Sequence, residues 1–140
     1  MQRIHLALGF IGFILFLLTG LYMHYAYDHL YGMSNDLRMI FRANHIYILY
    51  ISIIHLALGC YWQNRQGWRR FAQTTGSLLF IVAFIITFKA FVDEPHLSTA
   101  TELIRPYSGI AIQLLPGAIF LHLMAAIKTN NHDPGKRQAM

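Results

Sequence analysis

Four long apolar stretches, 4–25, 45–62, 76–92 and 107–127, occupy most of this chain and leave it one class of architecture. In hydrocarbon every backbone N–H and C=O must find a partner within the protein, so such stretches cross as helices of about 20 residues each. Successive crossings joined by short connections give an all-α integral membrane fold, a four-helix up-down transmembrane bundle over residues 1–128, followed by a polar tail at 129–140. The composition agrees: 56% of the residues are hydrophobic and 12% charged, whereas a soluble domain carries about a quarter charged. Arg3 followed by an apolar run has the look of a signal peptide, but the run outlasts a usual apolar core and no A-x-A site follows, so it is read as an uncleaved first span.

Charge placement orients the bundle. Arg3, Arg65, Arg69, Arg70, Lys128, Lys136 and Arg137 alternate onto one side, against Arg38, Arg42, Lys89 and Arg105 on the other. That bias predicts cytoplasmic N and C termini and a cytoplasmic 63–75 loop, and it suits a bacterial inner membrane. Tyrosines and tryptophans such as Tyr25, Tyr61, Trp62 and Tyr107 gather near span ends, where amphipathic rings sit at headgroup level. Because the basic residues flank apolar segments, the expected partners are the lipid bilayer and other membrane subunits, not nucleic acid.

Helices in lipid associate by close packing, which places small residues inward. Gly9, Gly12 and Thr19 mark this face on the first span, Ser52 and Gly59 on the second, Gly76, Ala83, Thr87 and Ala90 on the third, and Ser108, Ala111, Ala118 and Ala125 on the fourth. Pro116-Gly117 is expected to kink the fourth span. A repeated word, His5-Leu-Ala-Leu-Gly9 and His55-Leu-Ala-Leu-Gly59, is set aside as accidental, because the two helices run antiparallel and the flanking residues diverge.

Eight histidines in so apolar a chain carry the chemical interest. His55 shares a face with Ser52 and Gly59, and His122 lies on the alanine stripe of the fourth span, so both point into the bundle. Haem iron takes axial imidazoles and bundles hold cofactors between facing helices, which makes His55 and His122 the candidate ligands of a haem b. Toward the outer face His24 and His45 match in depth, each about 14 Å from the midplane at 1.5 Å per residue. With His29, His96, Met23 and Met33 nearby they form the alternative site, for copper or zinc. No hydrolase, zinc-protease or nucleotide-binding motif is present, and no Asp or Glu is placed inside a span to serve as acid or base.

In overall character the chain resembles the histidine-bearing membrane anchors and b-type cytochrome subunits of respiratory enzymes, although His5 and His24 depart from the paired spacing those proteins place on one helix. The resemblance implies a haem-binding or accessory subunit of a membrane redox complex. The alternative is an outer-face copper- or zinc-handling protein, or a structural one without cofactor.

Overall fold

The computed structural model describes residues 1–98 and 104–127, so the polar tail 129–140, Lys128 and His132 lie outside the described residues. Four helices follow in order: α1 (Gln2–Tyr25), α2 (Asn35–Cys60), α3 (Trp68–Leu97) and α4 (Pro106–Ala126), with a single 3-10 turn, Asp28–Leu30, between the first two. All four are long and apolar enough to span a membrane.

Local chemistry sets the helix ends. Ser34 caps α2 by accepting the Leu37 N–H at 3.4 Å, and Asp36 places a carboxylate in the first turn, where the helix dipole favours it. Gly67 supplies the positive φ, 59°, that turns the chain into α3, and Pro106 stands at the first helical position of α4, where its missing N–H costs nothing. Two helices outrun their apolar stretches: α2 starts at Asn35 rather than at 45, and α3 runs from Trp68 to Leu97 rather than from 76 to 92. Arg69 and Arg70, expected in a loop, therefore belong to the first turn of α3. The extra turns persist because their polar residues find partners inside the bundle, as Asn44 and Glu94 do with each other at 2.8 Å. Helix α4 passes through Pro116 and remains one helix.

The faces are those of a protein solvated by lipid. Large apolar side chains point outward on every helix, among them Phe10 at 63%, Ile85 at 60% and Phe120 at 61% exposure. The buried positions of α1 are His5, Gly9, Gly12 and Thr19, and those of α4 are Ser108, Ala111, Ala118 and Ala125, so the small-residue stripes do face inward. Along α3 the interior is layered: Ser77 at the end that holds the N-terminus, then Phe80, Ala83 and Phe84 against Ile51 and Ala118, then Phe91 against Leu30, Phe41 and Ile48, then Glu94.

Helix α1 packs along α2, α3 along α4, and α2 along α3. Helices α2 and α4 diverge, leaving a cleft of about 460 Å³ between them whose floor is Gln73 and Phe80 of α3. A second hollow, between Ile51 and Leu115, shares Tyr50 and Ile119 as lining residues with the first.

Candidate functional site

The repeated word proves to be the contact between α1 and α2. A Cβ added to Gly9 would lie 2.6 Å from Cγ of Leu56 and 2.9 Å from its backbone N, and a Cβ added to Gly59 would meet Leu6 at the same two distances. Only hydrogen at these positions permits so close an approach. Each contact maps onto the other by exchanging residue i for i + 50, so the two copies are related by a local two-fold axis. Antiparallel direction, taken above as a reason to dismiss the repeat, is what lets the word meet itself. On that axis Nδ1 of His5 and Nδ1 of His55 stand 2.8 Å apart, with both side chains fully buried.

From this pair a chain of hydrogen bonds reaches all four helices. Nε2 of His5 is 2.9 Å from Oγ of Ser77 on α3, and Oγ of Ser77 is 3.4 Å from Nε2 of His122 on α4. On the other side Nε2 of His55 lies 3.3 Å from the Phe80 carbonyl oxygen. Trp62 closes the cluster toward the end of the bundle, its ring centroid 5.6 Å from His5 and 6.5 Å from His122.

The Phe80 carbonyl fixes the direction of every bond in the chain. A carbonyl only accepts, so His55 donates from Nε2; as a neutral ring it then accepts at Nδ1, from the Nδ1–H of His5. His5 in turn accepts at Nε2 from the Ser77 hydroxyl, which accepts from Nε2–H of His122. His122 is left with an Nδ1 that has no protein partner among the described residues, and its ring lines the cleft between α2 and α4. The same cleft presents Tyr50, Tyr61, Trp62 and Arg65, with Ile119 and Leu123 on its α4 side at 40% and 60% exposure. Nearby, Arg69 donates from Nε to the Ala125 carbonyl at 2.9 Å, placing a cation at the C-terminal end of α4.

His55 and His122 thus belong to one cluster, but each turns to a different neighbour. His55 has both nitrogens engaged, Nδ1 with His5 and Nε2 with the Phe80 carbonyl. His24 and His45 are likewise separate. His24 meets His29, Nδ1 to Nδ1 at 3.1 Å, while His45 donates to Oγ1 of Thr19 at 2.9 Å and stacks on Phe16 at 4.2 Å. Among the described residues no three of His, Cys, Asp and Glu gather as a metal site. His5 and Ser77 escaped the sequence reading as members of the cluster, although His5 stands four residues before Gly9 and so heads the inward stripe of α1.

At the opposite end lies a polar cluster that the sequence reading also missed. Glu94, fully buried, accepts from Asn44 Nδ2 at 2.8 Å and from the Ser108 N–H at 2.7 Å, while Arg105 stands 3.6 Å away and donates to Asn44 Oδ1 at 3.1 Å. Its carboxylate closes the N-terminus of α4 and ties α2, α3 and α4 together. The expectation that no acid stands inside the helices is therefore corrected, because α3 continues past Val92 and carries Glu94 into the bundle. No family model, curated protein or solved structure matches this chain.

Proposed function

We propose that this protein is an accessory subunit of a membrane redox complex that holds a lipid-soluble ring of the quinone class in the cleft between α2 and α4. One observation carries the reading: the cleft has the size of a small-molecule site, about 300–1,000 Å³, and its apolar, aromatic walls offer an imidazole, His122, with a nitrogen free for a ligand. A ligand entering between two diverging spans comes from the bilayer and so is apolar. Rings of Tyr50, Tyr61 and Trp62 suit a flat ring, and a carbonyl or phenolic oxygen suits His122. The Lys/Arg bias supports a cleft in the cytoplasmic half of the membrane with both termini cytoplasmic, an arrangement that suits a bacterial inner membrane.

A second reading places haem b in the same cleft. His122 would then hold the iron and Arg65, at the mouth, would pair with a propionate. His55, with both nitrogens engaged, takes no part. Purification in mild detergent, an absorption spectrum and solvent extraction decide between them. A quinone ring in the extract, lost in His122→Ala, supports the first reading, and a Soret band lost in His122→Ala supports the second. A colourless protein that carries neither, and binds neither a short-tailed benzoquinone nor haemin when added, overturns both.

A further inference from the structure

We propose that His122, Ser77, His5 and His55 form a blind-ended proton relay, which takes one proton from the α2/α4 cleft and stores it on the buried His5–His55 pair. The inference concerns the chain's own residues, and the cleft ligand proposed above enters only as the source of the proton.

The bond directions derived from the Phe80 carbonyl leave one place where a proton can be added, Nδ1 of His122. When a proton binds there, the Nε2 proton of His122 passes to Ser77, the Ser77 hydroxyl proton to Nε2 of His5, and the Nδ1 proton of His5 to Nδ1 of His55. One proton enters and no electron moves. His122, Ser77 and His5 end neutral and His55 ends as imidazolium. Every link along the file has reversed, and each is still made: His55 now donates to His5, His5 to Ser77, and Ser77 to Nε2 of His122, over separations of 2.8, 2.9 and 3.4 Å. Empty and loaded states are thus both fully hydrogen-bonded on the same heavy atoms, which is the requirement for a bistable store.

The file stops at His55. Its Nε2–H faces a backbone carbonyl, which cannot hand a proton on, and beyond it lie Ile51, Ala83 and Phe84 with the Ser52 hydroxyl, which donates to the Ile48 carbonyl. The chain is therefore a reservoir serving the cleft and not a path across the membrane. Its ionisable and charged surroundings are the N-terminal amine one turn before His5, Arg69 from α3, and Tyr61 and Arg65 at the cleft mouth. All the described carboxylates stand toward the opposite end, so the stored proton has no counter-ion among the described residues. Loading is then favoured by a cleft ligand that gives up a proton and keeps the negative charge, as a phenolic quinol does.

The test is nitrogen NMR of the full chain with ¹⁵N-labelled histidine in lipid nanodiscs. In alkaline buffer His5 is expected as the Nδ1–H tautomer, with His55 and His122 as Nε2–H; His5 as Nε2–H or His55 as Nδ1–H overturns the relay. As pH falls, the His5 tautomer should change together with the charging of His55 in one step, and Ser77→Ala should abolish that step while His122 still titrates. Ser77→Thr should restore it. A His5–His55 response unchanged by Ser77→Ala removes Ser77 from the path and overturns the proposal, and if that variant does not fold the wild-type tautomers decide. Proteoliposomes should show no proton leak above empty vesicles, and conduction overturns the blind end. None of these readouts needs a bound quinone, so failure of the ligand assignment leaves them intact.

Discussion

His5 and His55 meet nitrogen to nitrogen at 2.8 Å across the α1/α2 contact, each fully buried and each the other's hydrogen-bond partner. Truncating either to alanine leaves the other with an unsatisfied nitrogen, at a cost of about 1–3 kcal/mol. The double variant should cost less than the sum of the two, with a coupling of about 0.6–1.7 kcal/mol as for other interhelical bonds in membranes. Denaturant unfolding of the four proteins of the cycle in detergent measures it, and strict additivity would show that the rings do not bond.

Gly9 and Gly59 make equivalent contacts, so Gly9→Ala and Gly59→Ala should destabilise by similar amounts, about 1–3 kcal/mol each, as the new methyl forces α1 and α2 apart. Gly109 in α4 has nothing within 4 Å of an added Cβ. Gly109→Ala should therefore gain about 0.5–1 kcal/mol from helix propensity alone. Thermal unfolding of the three variants separates a packing glycine from an incidental one.

Glu94 is fully buried and Arg105 is a quarter exposed, so removing the arginine strands a buried carboxylate, whereas removing the glutamate leaves a guanidinium that reaches the surface. Arg105→Ala should cost about 3–5 kcal/mol, and Glu94→Ala, which leaves the Asn44 amide and the Ser108 N–H without their acceptor, about 1–3 kcal/mol. Glu94→Gln, which keeps the acceptor that closes α4, should cost less. The order is read from unfolding midpoints, and equal losses for Gln and Ala would mean that the charge, not the cap, matters.

Copper or zinc offered to the histidines at this same end should go first to His24 and His29, whose nitrogens at 3.1 Å are close to the ~3.3 Å spacing of two imidazoles on a tetrahedral ion. The turn that brings them together holds Asp28, His29 and Leu30 in succession at positive φ, at about 1–2 kcal/mol each, with Leu30 anchored in the core. Metal retained after desalting should be lost in His24→Ala and His29→Ala and kept in His45→Ala.

Reporter fusions at Met140 and near Ser34 should report opposite compartments, with Met140 cytoplasmic. Three spans, α2, α3 and α4, separate the two positions, so a common compartment for both would contradict this odd number of crossings.

The bundle was legible because lipid simplifies the code: apolar length gives the crossings, and small residues at helical spacing give the inward faces, as Gly9, Gly12, Ala83, Ala111 and Ala118 do. Helix ends were less so, since Asn35–Ala43 and Trp68–Thr75 are too polar to read as spans and yet continue the helices. The histidine cluster was half legible. Facing put His55 and His122 inside, but which ring meets which depends on the relative slide of antiparallel helices, and no single helix carries that information. Glu94 was missed for the same reason: a charge beyond the apolar run reads as loop until its partners, Asn44 and the first turn of α4, arrive from elsewhere in the chain.

The word shared by α1 and α2 is complementary to itself, so two nascent chains offer each other the fit that one chain makes internally. Copies of α1 inserted in the same orientation run parallel and cannot make this antiparallel fit, so the competing mate is the α2 of another chain. Once α2 arrives, the short 26–34 connection holds it at an effective concentration of order mM, which separate copies must match. The short connection thus favours the pairing of α1 with the α2 of its own chain over the same pairing between copies.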